Sequence, residues 1–140
     1  MRTVRDESGT HYILLKKSGD ASLVRNPETG TERHVENERL EPVDGESPLS
    51  TAASAVPEAR RRLVTAAHDE RALGLLVELD THGPLSVEQL LDSYDLCESD
   101  LHGLLTEFRA ADLVEQAEVL GQRGYDTTAT ASETLALLTG

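Results

Sequence analysis

Apolar side chains in the second half of the chain recur with helical spacing. Residues 98–111 carry four of them at i, i+3, i+4 and i+7, which predicts a helix with one buried face. These positions are Leu101, Leu104, Leu105 and Phe108. A second apolar stripe predicts a helix just before it, and Ser86 followed by Gln89 forms a capping box at its start. The segment Asp95-Leu96-Cys97 is then a short connection between two helices.

Turn residues predict a β-hairpin after these helices. VEQAEVL and YDTT are strand-like segments, and the glycine-bounded turn GQRG separates them, so we expect a ribbon over about residues 114–128. Thr128 or Thr130 then begins a final amphipathic helix. Its apolar residues are Leu135, Leu137 and Leu138.

Short strands dominate residues 1–41. THYILLKK, ASLVRN and TERHVE are apolar or alternating, and Ser18-Gly19-Asp20 and NPETG between them are strong turn signals. Two short connections predict an antiparallel meander, to which Met1–Arg5 can add a fourth strand. We therefore expect an antiparallel β appendage here.

Two further segments complete the predicted organisation. Residues 42–56 are interrupted by Pro, Gly and Ser without a sustained period, which predicts a linker in which a short helix can begin near Ser50. From Pro57 the pattern becomes helical, as one kinked helix or as two helices that break at His68-Asp69 with Asp69 as the cap. Gly83-Pro84 ends this helical stretch. Together with the helices and the hairpin that follow, it forms one predicted domain over residues 57–140.

The order helix, helix, helix, ribbon, helix resembles winged helix-turn-helix transcriptional regulators of the MarR and ArsR kind. Three segments carry the resemblance: GPLSVEQLLDSYDL, CESDLHGLLTEFRAADLVE and GQRGYDTTATA. The second of them has Asp112 where the family usually has glycine. The resemblance implies an α+β fold, a winged helix-turn-helix with an N-terminal antiparallel β-meander. It also implies that residues 98–111 are the recognition helix and that residues 114–128 are the wing.

The charge of the chain is strongly acidic, with a formal net charge of −13. Only two of the 13 basic residues are lysines, and there are 26 acidic residues. Dense carboxylates with few lysines and few aromatics resemble small winged-helix proteins of halophilic archaea. Molar salt screens the repulsion among carboxylates to about 3 Å. We therefore expect a protein of a high-salt cytoplasm, with an ordinary acidic protein that binds a basic partner as the other interpretation.

The resemblance implies double-stranded DNA as the ligand, yet the predicted recognition helix carries Glu98, Asp100 and Glu107. Other side chains of that helix and of the wing can contact bases or phosphates. The arginine run before residue 63 is the remaining source of positive charge. The predicted DNA-binding residues are Ser99, His102, Thr106, Arg109, Arg123, Arg60, Arg61 and Arg62.

The most favoured function is thus a DNA-binding transcriptional regulator, as a homodimer formed through residues 57–67 or the C-terminal helix. The alternative is a winged-helix interaction module that binds a basic protein partner without touching DNA. No metal-binding spacing such as CxxC or HExxH occurs, so we expect no metal, no cofactor, no catalytic residues and no enzymatic activity. No run reaches the roughly 18 apolar residues of a membrane helix. We therefore expect a cytoplasmic protein, with its small-molecule effector open.

Overall fold

The computed structural model describes residues 1–140 and has an α+β fold. It contains an N-terminal antiparallel sheet and six α-helices. The chain forms two compact units, Met1–Glu58 and Ala59–Gly140. None of the six helices is both long enough and apolar enough to cross a membrane.

The first unit is built on a five-stranded sheet in the order β4-β3-β2-β1-β5. Its strands are β1 (Arg2–Arg5), β2 (His11–Lys17), β3 (Ala21–Arg25), β4 (Glu32–Glu36) and β5 (Glu41–Pro42). Strands β1 to β4 form the predicted antiparallel meander, because each is joined to the next by a short turn. Alternate residues of the meander point to one face, where Val4, Tyr12, Val24 and Val35 form a small buried core.

Residues 42–56 are not the linker that their composition predicts, because they belong to the first unit, and the short helix expected near Ser50 begins at Pro48. Pro42 is part of β5 and pairs with Val4, and Pro48–Ala52 form helix α1. Ser47 caps this helix by accepting a hydrogen bond from the Leu49 N–H, and Pro48 occupies the first turn, where its missing N–H costs nothing. The same Pro and Ser residues that suggested a linker therefore start a helix, which belongs to the first unit.

Asp6 organises the β1–β2 turn of the first unit. Its carboxylate accepts hydrogen bonds from the Ser8 hydroxyl at 2.6 Å, from the N–H groups of Ser8 and Thr10, and from the Tyr12 hydroxyl at 3.0 Å. The Ser8 hydroxyl is the largest of the influences that hold the pKa of Asp6 below its usual value of 3.8. Because hydrogen bonds favour the charged form, the folded state binds this proton less tightly than the unfolded state does.

The pH dependence of stability should reveal this carboxylate. Its contribution is fully present above the usual aspartate pKa and is lost as the pH falls through the lower folded value. From about pH 5 to about pH 2, we expect the free energy of unfolding to fall more steeply for the wild type than for Asp6→Asn. Chemical unfolding followed by circular dichroism at each pH measures the difference. Parallel curves for the two proteins would contradict the prediction.

The second unit contains five of the helices and a three-stranded antiparallel sheet in the order β6-β8-β7. Its helices are α2 (Glu58–Ala66, which begins at the boundary), α3 (Glu70–His82), α4 (Val87–Ser93), α5 (Glu98–Ala110) and α6 (Ala129–Leu138). Its strands are β6 (Leu85–Ser86), β7 (Val114–Val119) and β8 (Gln122–Thr127). The predicted break at residues 68–69 and the predicted last helix are confirmed, with Asp69 and Thr128 as caps.

The core of the second unit joins these helices to the sheet. Three of the four apolar residues predicted for α5 are buried in it, Leu101, Leu105 and Phe108, while Leu104 packs at its edge. They meet Leu76 and Leu79 of α3, and other members come from α4, α6 and the hairpin. The capping box of Ser86 and Gln89 is also confirmed, since each side chain bonds the other residue's backbone N–H. Helix α5 is therefore held on one side only, which leaves its opposite side to solvent.

Gly124 lets β6 run close beside β8. A Cβ at this position would lie 2.5 Å from the Leu85 carbonyl oxygen and 2.8 Å from Val119 Cγ2. Because the nearest neighbour is backbone, it cannot move aside without breaking the pairing of Ser86 with Gly124. The glycine that the sequence places in the turn thus lies inside strand β8.

Gly124→Ala is expected to lower the free energy of unfolding of the second unit by about 1–3 kcal/mol, the usual cost of overpacking. Thermal unfolding followed by circular dichroism would measure it. Gly74→Ala is the matched control, because a Cβ there meets open space and Gly74 lies inside α3. That variant should gain about 0.5–1 kcal/mol from the better helix former. Equal stabilities for the two variants would show that the approach of Leu85 is not limiting.

Candidate functional site

A groove of about 690 Å³ lies between the N-terminal half of α5 and strand β8. It is lined by Val87, Cys97, Glu98, Ser99, Leu101, His102, Leu105, Arg123 and Tyr125. Three of the predicted binding residues therefore meet here: Ser99, His102 and, more than 20 positions further along the chain, Arg123. Leucine side chains form part of its floor, and hydroxyl, imidazole and guanidinium groups stand around them.

The connection before α5 sets the position of the groove. Cys97 is the N-cap residue of α5 without a capping side-chain hydrogen bond, and its sulfur lies 3.4 Å from the Ser99 hydroxyl. Leu96 and Tyr94 pack against the core from this connection. Burial raises the pKa of the Tyr94 phenol, and the neighbouring Glu78 carboxylate raises it further. The phenol is thus neutral at physiological pH and helps to fix the start of α5.

One exposed side of α5 carries four of the predicted residues. Ser99, His102, Thr106 and Arg109 are spaced three or four positions apart, so they lie along the same side of the helix, and all four are exposed. The Thr106 hydroxyl donates to the His102 carbonyl oxygen at 2.7 Å, which leaves its lone pairs facing solvent. This side can therefore offer both donors and acceptors to a ligand.

Gln116 of β7 connects this side of α5 to the hairpin. With its amide oxygen turned toward the arginines, that oxygen lies 3.2 Å from Arg109 Nη1 and 3.2 Å from Arg123 Nη2. Arg123 also donates to the Tyr125 hydroxyl at 2.9 Å, with its guanidinium 5.8 Å from the centre of the Tyr125 ring. The two arginines are thus held by one amide. We call the surface formed by Ser99, His102, Thr106, Arg109, Gln116 and Arg123 the α5–hairpin face.

The carboxylates of α5 are not spread evenly around the helix. Asp100 lies 3.9 Å from the guanidinium of Arg71, and Glu107 lies 3.7 Å from the imidazole of His68. Each residue turns the helix by about 100°, so Asp100 lies about 180° and Glu107 about 160° around the helix from Arg109, the single arginine of α5. Glu98 is different, since it lines the groove itself. Only one of the three acidic side chains of α5 therefore belongs to the groove.

The arginine run lies elsewhere in the second unit. Arg60, Arg61 and Arg62 are on α2 and do not line the groove. Arg62 Nη1 lies 3.5 Å from Asp112 Oδ2, in the connection from α5 to β7. The arginine run lies away from the groove because Leu63 buries its side chain in the core, which fixes the rotation of α2. The structure thus brings five of the eight predicted residues to one face and leaves these three apart.

Asp112 ends α5 in a left-handed conformation, with φ of 59°. The Leu113 N–H donates to the Phe108 carbonyl oxygen at 2.8 Å, which closes the last turn of the helix as a glycine cap would. Aspartate tolerates this backbone better than most residues do. Asp112, which stands where the family usually has glycine, therefore ends the helix in the way a glycine would.

Sequence reasoning missed Gln116 and Tyr125 as members of the site. Their signal was the register of the hairpin: a two-residue loop at 120–121 places Gln116 opposite Tyr125 and puts both on the side of Arg123. The metal-ligating residue types do not converge, since no group of three or more His, Cys, Asp or Glu side chains is placed to hold an ion. The chemistry that this face offers is hydrogen bonding and positive charge.

Comparison with known proteins places the chain in a family. No curated protein and no solved structure matches it. A family model, described as a family of unknown function, matches residues 1–139. Because this match covers both units, the chain belongs to the family of unknown function DUF7346.

Proposed function

We propose that the second unit is a winged helix-turn-helix that binds double-stranded DNA and regulates transcription in concentrated salt. The observation that carries the proposal is the α5–hairpin face, where Arg109 and Arg123 are held together by Gln116 beside exposed hydrogen-bonding groups. The order of elements from α3 to α6, with β7–β8 as the wing, supports the same proposal.

In this proposal α5 is the recognition helix. An α-helix with its side chains is about 10–12 Å wide, which fits a major groove of about 12 Å. Ser99, His102 and Thr106 would then face base edges, where hydroxyl and imidazole groups can donate or accept. Arg109 and Arg123 would contact phosphates or guanine, because guanidinium groups bind both in a bidentate way.

The acidic charge of the unit fits a salty medium better than a dilute one. Residues 59–140 contain six basic and 15 acidic residues, so the unit as a whole repels DNA in dilute salt. Salt screens that repulsion, while direct hydrogen bonds at the α5–hairpin face are screened much less. Binding at molar salt thus depends on shape and on a few contacts. Asp100 and Glu107 point away from these contacts, while Glu98 stays in the groove.

A homodimer is part of the proposal. Leu137 and Leu138 of α6 are 64% and 60% exposed, and Val64 of α2 is 65% exposed. Helices α2 and α6 are the two regions through which the sequence predicts a dimer. A two-fold dimer would present two copies of α5 to half-sites about one helical turn apart.

Selection of duplexes from a random library by the full chain, in about 2 M KCl, tests the proposal. We expect enrichment of a defined sequence. The logarithm of the affinity should fall with the logarithm of salt concentration with a slope near −2, since about 0.9 counterions are released per neutralised phosphate and two arginines are available. Fluorescence anisotropy across a KCl series measures this slope. A library without enrichment, or a slope near −6, would contradict the proposal.

The alternative function is an interaction module for a basic protein. The excess of acidic residues in the second unit and the position of Glu98 in the groove favour it. Such a module would bind a basic partner most tightly in dilute salt, because salt screens attraction between exposed charges. Both kinds of binding weaken as salt increases, so enrichment of a defined duplex in molar KCl is the result that separates the two functions.

A further inference from the structure

The tip of the β7–β8 hairpin has an unusual residue in its loop. The loop consists of Leu120 and Gly121, because Val119 pairs directly with Gln122. Both loop residues have positive φ, 51° for Leu120 and 77° for Gly121. This is the backbone of a type I′ turn, which prefers Asn or Gly at its first position. Gly121 suits the turn, whereas Leu120 occupies a conformation that L side chains rarely adopt.

The side chain of Leu120 contributes nothing to the core of the chain. It is 97% exposed, the most exposed of the large apolar residues. Leu120 therefore combines an unfavourable backbone with an unburied apolar side chain, and Asn would satisfy the turn better on both counts. Folding alone gives no reason for leucine here, which points to a contact with another molecule.

The position of the tip indicates what that molecule is. Gln116, Gly121 and Arg123 line one depression on the hairpin, so the surface at the loop is continuous with the α5–hairpin face. Next to the loop Glu118 stands opposite Arg123, and their opposite charges leave the tip near neutral. A ligand bound across α5 would pass the leucine at the end of the hairpin.

We propose that Leu120 is an apolar wedge that enters the minor groove of bound DNA and inserts between adjacent base pairs. The inference rests on the proposed DNA-binding function and adds to it a contact and a distortion of the DNA. Leucine is one of the side chains that minor-groove proteins insert, and such insertion partly unstacks the bases and kinks the duplex. Apolar contact is not screened by salt, so it supplies affinity where phosphate contacts are weak.

The variant Leu120→Asn tests the wedge because folding and binding should respond in opposite directions. Asn favours positive φ, so its melting temperature should rise. Its affinity for DNA should fall by about tenfold, the order of one lost side-chain contact. The probe is the duplex of about 30 base pairs that the wild-type chain selects, labelled at its ends with a fluorophore pair that reports the end-to-end distance.

Wild-type protein should shorten the end-to-end distance of this duplex, and Leu120→Asn should not. Leu49→Asn is the matched control, because Leu49 is 82% exposed on α1 of the first unit, and it should bind and bend DNA as the wild type does. A Leu120→Asn protein with wild-type affinity, or with weaker affinity but an unchanged bend, overturns the wedge and leaves DNA binding standing. A wild-type chain that binds no duplex overturns both proposals.

Discussion

Replacing Arg109 and Arg123 together with glutamate is expected to weaken DNA binding by about 100-fold or more. A hydrogen bond to a charged group contributes about 1.5–3 kcal/mol, and two such contacts correspond to at least this factor. The two side chains also share the Gln116 amide oxygen, so both changes act on one place on the surface. Anisotropy with the selected duplex in molar KCl measures the loss. Circular dichroism should be unchanged, because both arginines are exposed.

The control is a second double variant with the same change in net charge, Arg39→Glu with Arg71→Glu. Both residues are exposed and take part in surface ion pairs, Arg39 with Glu7 at 2.8 Å and Arg71 with Asp100 at 3.9 Å. Neither arginine belongs to the α5–hairpin face. The DNA affinity of the control variant should therefore change by less than about threefold once salt screens distant charges. Equal losses in the two double variants would show that only net charge matters. A protein that binds a basic partner should lose nothing when Arg109 and Arg123 are replaced.

Phe108→Ala is expected to destabilise the second unit by about 3–5 kcal/mol, the range for truncating a buried aromatic ring. Phe108 is the single phenylalanine of the chain and is fully buried among leucines of α3, α4 and α5. Its carbonyl oxygen also accepts the bond that closes the end of α5. Because domains are stable by only about 5–15 kcal/mol, this loss should leave α5 largely unprotected against hydrogen exchange.

Hydrogen exchange of the α5 amides, measured with chemical unfolding in the same KCl buffer, tests this prediction. Val64→Ala is the control, since Val64 is 65% exposed and surface changes usually stay within about 0.5 kcal/mol. Phe108→Leu should recover most of the stability, because a buried apolar side chain is kept. If Phe108→Ala costs less than about 1 kcal/mol, α5 is not anchored by this ring. The position of the α5–hairpin face would then need another explanation.

Local patterns predicted most of the second unit because they reflect short-range physics. The stripe at 101, 104, 105 and 108 predicts α5 through helical periodicity, and the capping box at 86 and 89 predicts the start of α4. Two glycines around residue 122 predict the hairpin, although only Gly121 lies in the loop. Each of these features depends on neighbours within about four positions, which is the range of helix and turn contacts.

The linker prediction failed because residues 42–56 are stabilised by partners that are distant along the chain. Pro42 pairs with Val4 across 38 positions, and Thr51 of α1 bonds Thr3 across 48. A short strand and a five-residue helix have too few residues to show a period, and long-range partners stabilise both. Composition therefore described the segment correctly as rich in turn residues and missed its place in the first unit.

The charges of the candidate site were also determined partly by local sequence and partly by tertiary packing. The residues of α5 alone established that three carboxylates and one arginine share a helix, and hence that its charge conflicts with the proposed binding of DNA. The order of side chains on that helix also follows from the sequence, since helical rotation places Asp100 and Glu107 away from Arg109. Partners for these groups come from distant segments: Arg71 and His68 from before α4, and Gln116 and Arg123 from the hairpin. Periodicity in the sequence thus determined which side chains share a side of the helix. Packing of the helix against α3 and the hairpin decided which charges meet. The reason is that Coulomb and hydrogen-bond energies depend on distance in space and not on distance along the chain.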